Sequence, residues 1–124
     1  MPETTSAIFG YHAHVYFDAT TIDQARALCE EAARKFPLIM GRVHERPVGP
    51  HPDWSCQLAF RPEVFKDLIP WLMVNRNGLN VLVHPLTGND LRDHRDYPMW
   101  LGQSRPLDLS GLSDQPRQQT EYTL

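Results

Sequence analysis

Residues 8 to 18 alternate with period two, so an extended backbone places Phe9, Tyr11, Ala13, Val15 and Phe17 on one face and Gly10, His12, His14, Tyr16 and Asp18 on the other. A strand with one apolar and one polar face belongs in a sheet that buries its apolar side under helices and leaves the opposite side open. Imidazole is the commonest metal ligand and changes charge near neutral pH. Two of them on one strand face therefore point to a reactive surface.

The segments that follow extend the pattern. Ile22, Ala25, Leu28, Cys29, Ala32, Ala33 and Phe36 recur at helical spacing, with Thr20 or Thr21 as the expected cap and Pro37 as the stop. Leu38 to Glu45 reads as a second strand. The proline-rich stretch from Arg46 to Asp53 turns the chain into a third strand, Trp54 to Arg61. Pro62 opens a second helix through Val64, Phe65, Leu68, Ile69, Leu72 and Met73, in which Pro70 predicts a kink or an early break. Asn77-Gly78 ends that helix, and Leu79 to His84 is a fourth strand. The order β-α-β-β-α-β predicts an α+β, ferredoxin-like sandwich: a four-stranded antiparallel sheet with helices on one face only. Beyond Pro85 the periodicity is lost, and the expectation is a loop with aromatic anchors. The reading is one domain over residues 8–112 and a flexible C-terminal tail over 113–124.

Composition excludes several function classes. Apolar residues at 41% and charged residues at 22% are ordinary globular values, while 11 prolines imply rigid turns. The net charge of -3 and the scatter of 12 basic residues lack the basic stripe of a nucleic-acid binder. No long apolar stretch and no basic, apolar leader occurs, so the expectation is a cytoplasmic protein with no membrane partner. Cys29 and Cys56 read as reduced core residues. GxSxG, P-loop, GxGxxG and HExxH motifs are all missing, which weakens hydrolase, kinase and nucleotide-dehydrogenase readings.

Assigning each strand's apolar positions to the helix side leaves Met40, Arg42 and His44, then Ser55, Gln57, Ala59 and Arg61, then Asn80, Leu82 and His84, on the open face with His12, His14 and Tyr16. In a ferredoxin-like sheet the fourth strand lies antiparallel beside the first, so His84 approaches His12 and His14. Alternate positions on a strand are about 6.5 to 7 Å apart, close enough for imidazoles to converge on one metal. His51-Pro-Asp-Trp54 and Asp93-His94-Arg-Asp96 add two loop histidines, each near carboxylates that can orient a ring. Tyr97, Met99 and Trp100 are candidates to cap an apolar pocket over the sheet. No carboxylate stands beside the strand histidines, so the two-histidine, one-carboxylate triad is not spelled out.

The string Tyr11-His-Ala-His-Val-Tyr-Phe-Asp18, followed by His51-Pro-Asp-Trp54, His84-Pro-Leu-Thr-Gly88 and Asp93-His94, resembles the DOPA 4,5-dioxygenase family over residues 8 to about 102. The resemblance implies extradiol cleavage of a catechol such as DOPA with O₂, at a non-haem Fe(II) site, by a small domain that often pairs into homodimers. On that basis His12, His14 and His84 are the expected metal ligands, with zinc able to replace iron in purified protein. His51 and His94 are the expected acid and base, since a free imidazole titrates near 6.5. Tyr16, Arg42, His44 and Gln57 are the expected substrate contacts. The residues alone leave two alternatives: a non-enzymatic metal- or small-ligand-binding ferredoxin-like dimer, and a cofactor-free monooxygenase of the dimeric ferredoxin-like type.

Overall fold

Alternating apolar residues make β1 (Gly10–Phe17) the middle of an antiparallel sheet, which the computed structural model describes within residues 4–117. Around it stand β2 (Leu38–His44), β3 (Trp54–Phe60), β4 (Val81–Leu86) and β5 (Met99–Leu101), in the order β2-β3-β1-β4-β5. The first four strands take the ferredoxin-like order. The sheet has five strands, however, and not the four expected.

Helices α1 (Ile22–Lys35) and α2 (Pro62–Asn75) lie on one face. Ala25, Leu28, Cys29 and Ala32 of α1, and Val64, Leu68, Ile69 and Leu72 of α2, pack on Ala13, Val15, Leu58, Phe60, Val81 and Val83. Both cysteines are buried and free. No helix among the described residues is long and apolar enough to cross a membrane.

Four local expectations are corrected. Thr21 occupies the N-cap position of α1 but makes no capping bond from its side chain; it is bonded instead to Asp18, whose carboxylate accepts from both Thr20 and Thr21. Met40 faces the helix-side core, because a register shift between Met40 and Val43 re-phases β2 and leaves His44 opposite Ser55. The fourth strand starts and ends two residues later than expected, which pairs all of 81–86 with β1 or the segment before it. Finally, α2 continues through Pro70. Burial of Leu68, Ile69 and Leu72 on both sides of the proline outweighs the missing N–H. Pro70 is exposed, so Pro70→Ala restores a helix bond at no packing cost. It is expected to stabilise the protein by about 1–2 kcal/mol, read as a raised urea midpoint.

The segment beyond β4 is also more ordered than its lack of periodicity suggests. Asn89 caps α3 (Asp90–Arg95), its side chain accepting from Arg92 N at 2.9 Å. This third helix brings His94 against His84, so the second sheet face carries a helix too, against the expectation of helices on one side. Residues 113–117, assigned to a flexible tail from sequence, run beside α3. Ser113 O accepts from Leu91 N, Asp114 pairs with Asn89 and Arg92, and Arg117 reaches Gly88 O and Asp90. Positions 118–124 of that expected tail lie outside the described residues.

Candidate metal centre

Sheet register assembles the site. His12 stands directly opposite His84 across the β1–β4 ladder, and His14 stands opposite Gln57 on β3. The potential ligand atoms of His12, His14 and His84 all lie within 4.8 Å of one another, and all three residues are buried. His14 Nε2 and His84 Nε2 are 3.0 Å apart. That is the spacing of two imidazole nitrogens bound side by side to one ion at about 2.1 Å.

Hydrogen bonding prepares these rings for a cation. His84 Nδ1 is 2.9 Å from Pro85 O, a pure acceptor, so Nδ1 carries the ring proton and Nε2 presents its lone pair. Such a second contact is how proteins orient metal-binding histidines. Burial holds His84 well below the usual imidazole range, with His94 and His12 adding repulsion and the Pro85 bond opposing. Burial does the same for His14, reinforced by His51, His84, His12 and His94. Both are neutral at pH 7, the form that binds metal. The 3.0 Å pair shares one proton between its two Nε2 atoms, which a metal ion held there would replace.

Two further histidines flank the ligand set. His51 lies 4.1 Å from His14 and His94 lies 4.1 Å from His84, ring centre to ring centre. His51 Nδ1 meets the Tyr16 hydroxyl at 2.7 Å. Burial, with repulsion from His94, His12 and His44, lowers His51 to about 4. Burial, with Asp53 in support, raises the Tyr16 phenol. Trp100 packs on the Tyr16 ring at 5.8 Å.

The carboxylates expected to orient the loop histidines do something else. Asp53 forms a two-point ion pair with Arg105, at 2.8 and 3.1 Å. The partner of His94 is the main-chain carbonyl of Asp90, at 2.7 Å. Asp93 is buried and accepts from Thr87 N at 3.0 Å and from the Thr87 hydroxyl at 2.5 Å, tying α3 to the end of β4. Sequence reasoning missed this anchor, since a Thr-x₅-Asp pair carries no signature. Burial raises the Asp93 carboxyl, the Thr87 bonds opposing. Asp93→Ala is expected to cost about 1–3 kcal/mol in denaturant and to loosen α3, seen as faster amide exchange over residues 90–95.

Of the expected substrate contacts, Tyr16 is buried in the cluster through His51, and Gln57 and His44 are half-buried on the same sheet. Arg42 is exposed at the β2 irregularity, with no hydrogen bond or ion pair to the cluster. A mainly apolar cavity of about 300 Å³ lies on the helix side near the β4 edge, lined by Tyr11, Phe65, Val83, Tyr97 and Met99 among others; of the three clustered histidines only His84 touches it. Tyr97 and Met99 line this helix-side cavity and do not cap a pocket over the open face as expected, while Trp100, opposite Leu82, packs on Tyr16 on the cluster's side.

Three proteins resemble most of this chain. A DOPA 4,5-dioxygenase of Amanita muscaria is 36% identical over 118 residues, covering 86% of this chain and 51% of that protein. An uncharacterised 21.2 kDa protein of Botryotinia fuckeliana is 39% identical over 112 residues, covering 81% and 61%. The chain therefore spans between half and two thirds of the length of these curated relatives. A crystal structure from Nostoc punctiforme, provisionally described as a dioxygenase, is 45% identical and superposes with a TM-score of 0.83, covering 87% of this chain and 94% of its own. The Dopa 4,5-dioxygenase family pattern matches residues 11–111, which include all six histidines, and the chain belongs to that family.

Proposed function

We propose that the chain is a metal-dependent dioxygenase that opens the ring of a catechol beside one of its hydroxyls, the extradiol mode. The observation that carries this is three buried imidazoles, two of them held neutral, converging at one point. His12, His14 and His84 hold the ion. Bound there, Fe(II) would supply Lewis-acid and redox chemistry towards a catechol and O₂.

The chain's other residues handle protons and orientation. His51 and His94, which stand against two of the ligands, serve as the acid and base for bound catechol. Trp100, packed on the Tyr16 ring on the cluster's side of the sheet, offers the substrate ring an apolar wall. Gln57 and His44 flank the substrate, and Arg42 meets a substrate carboxylate at the rim. The working assembly is a cytoplasmic homodimer, and sedimentation of the purified protein measures its mass.

The test is to load the protein anaerobically with Fe(II), add DOPA or caffeate, and admit air. A new yellow absorbance with one O₂ consumed per catechol is the expected result. An iron-loaded protein that stays colourless across a catechol panel would instead be a metal-binding module without turnover.

A further inference from the structure

The two histidines that flank the ligand set are hydrogen-bonded in opposite senses. His94 Nδ1 lies 2.7 Å from Asp90 O, and a carbonyl only accepts. Nδ1 therefore carries a proton, and the neutral tautomer this selects has its lone pair on Nε2. His51 Nδ1 lies 2.7 Å from the Tyr16 hydroxyl. Tyr16 is 3% exposed, and its hydroxyl has no second acceptor among the described residues. A buried hydroxyl must place its hydrogen somewhere, so it donates to His51 Nδ1 and leaves the His51 proton on Nε2.

We infer that His94 and His51 are locked as opposite tautomers, His94 offering a proton acceptor and His51 a proton donor beside the ligand set, with Tyr16 as the positioning residue that sets His51. The use of this division of labour rests on the proposed function. On that reading His94 Nε2 accepts a hydrogen bond from a hydroxyl of bound catechol, while His51 Nε2–H donates one to an oxygen of the bound reactants. Without the Tyr16 hydroxyl, His51 can turn its lone pair inward and the site has two acceptors and no donor.

The experiment is ¹⁵N-histidine NMR of the full metal-free chain at pH 8, where long-range ¹⁵N–¹H correlations show which nitrogen of each ring bears the proton. His94 is expected as the Nδ1–H form and His51 as the Nε2–H form. In Tyr16→Phe, which keeps the ring against Trp100, His51 is expected to relax to a mixture while His94 stays as it was. The iron-loaded variant should lose about tenfold or more in kcat, with KM changed less than about twofold. An Nδ1–H form of His51 in the unaltered protein overturns the inference, as does the same His51 tautomer in both proteins. The unaltered protein's spectrum decides the matter even if the variant folds poorly. Opposite tautomers in a protein that opens no catechol would support the lock and sink the dioxygenase reading.

Discussion

Alanine at His84 or at His14 is expected to abolish metal uptake. Each change removes one of three converging nitrogens, and the remaining two cannot close around an ion. Loss of an outer partner of a metal ligand alone weakens binding about 10–100-fold, so loss of a ligand should exceed about 100-fold. His84→Ala also leaves Pro85 O without its bond and His14 Nε2 without its neighbour, so the metal-free variant should be modestly less stable at pH 7.5. Anaerobic Fe(II) titration followed by elemental analysis reads the effect, with circular dichroism to check the fold. His44→Ala, on the outer strand, should keep full stoichiometry. Unchanged iron content in both the His14 and His84 variants would sink the ligand assignment.

Acid should unfold the metal-free protein well before ordinary carboxylates titrate. His14, His84 and His51 all have folded-state values below the usual 6.5, so below that pH the unfolded chain binds protons that the folded chain refuses. Stability from these groups is thus fully present above about pH 6.5 and is lost as pH falls towards the folded values. For His51, a drop to about 4 corresponds to roughly 3 kcal/mol over that window, and His14 and His84 act in the same direction. Urea midpoints measured with chelator at pH 7.5 and pH 5 should differ accordingly. Bound metal should hold the midpoint up until protons displace it, and His84→Ala should flatten the acid limb. Equal midpoints at both pH values would show that the cluster is already solvated.

The Phe9–Phe17 alternation, the two helical periods and the Asn77-Gly78 stop specified a βαββαβ core, because each rests on local chemistry with a fixed period. Asn77 and Gly78 both take positive φ, 53° and 81°, as that stop requires. Elements without a period escaped notice. Only Leu101 of the three β5 residues is buried, and α3 is six residues long, so neither leaves a pattern to read. β5 exists because Val81, Leu82 and Val83 offer it an edge to pair with, and α3 because Asp93 and Thr87 pin it there. The β2 irregularity defeated simple alternation in the same way: one extra residue turned Met40 inward.

His12 and His14 were certain to share a face once their segment was extended, and the strand order made His84 their neighbour. Both follow from backbone geometry alone. Which nitrogen each ring presents, and that two of the three are held neutral, depended on Pro85 O and on burial by segments far away in sequence. Likewise His51 and His94 were visible as loop histidines, but Tyr16 and the Asp90 carbonyl make them different from one another. Hydrogen-bond direction belongs to pairs of atoms brought together in space, and a one-dimensional pattern carries no record of it.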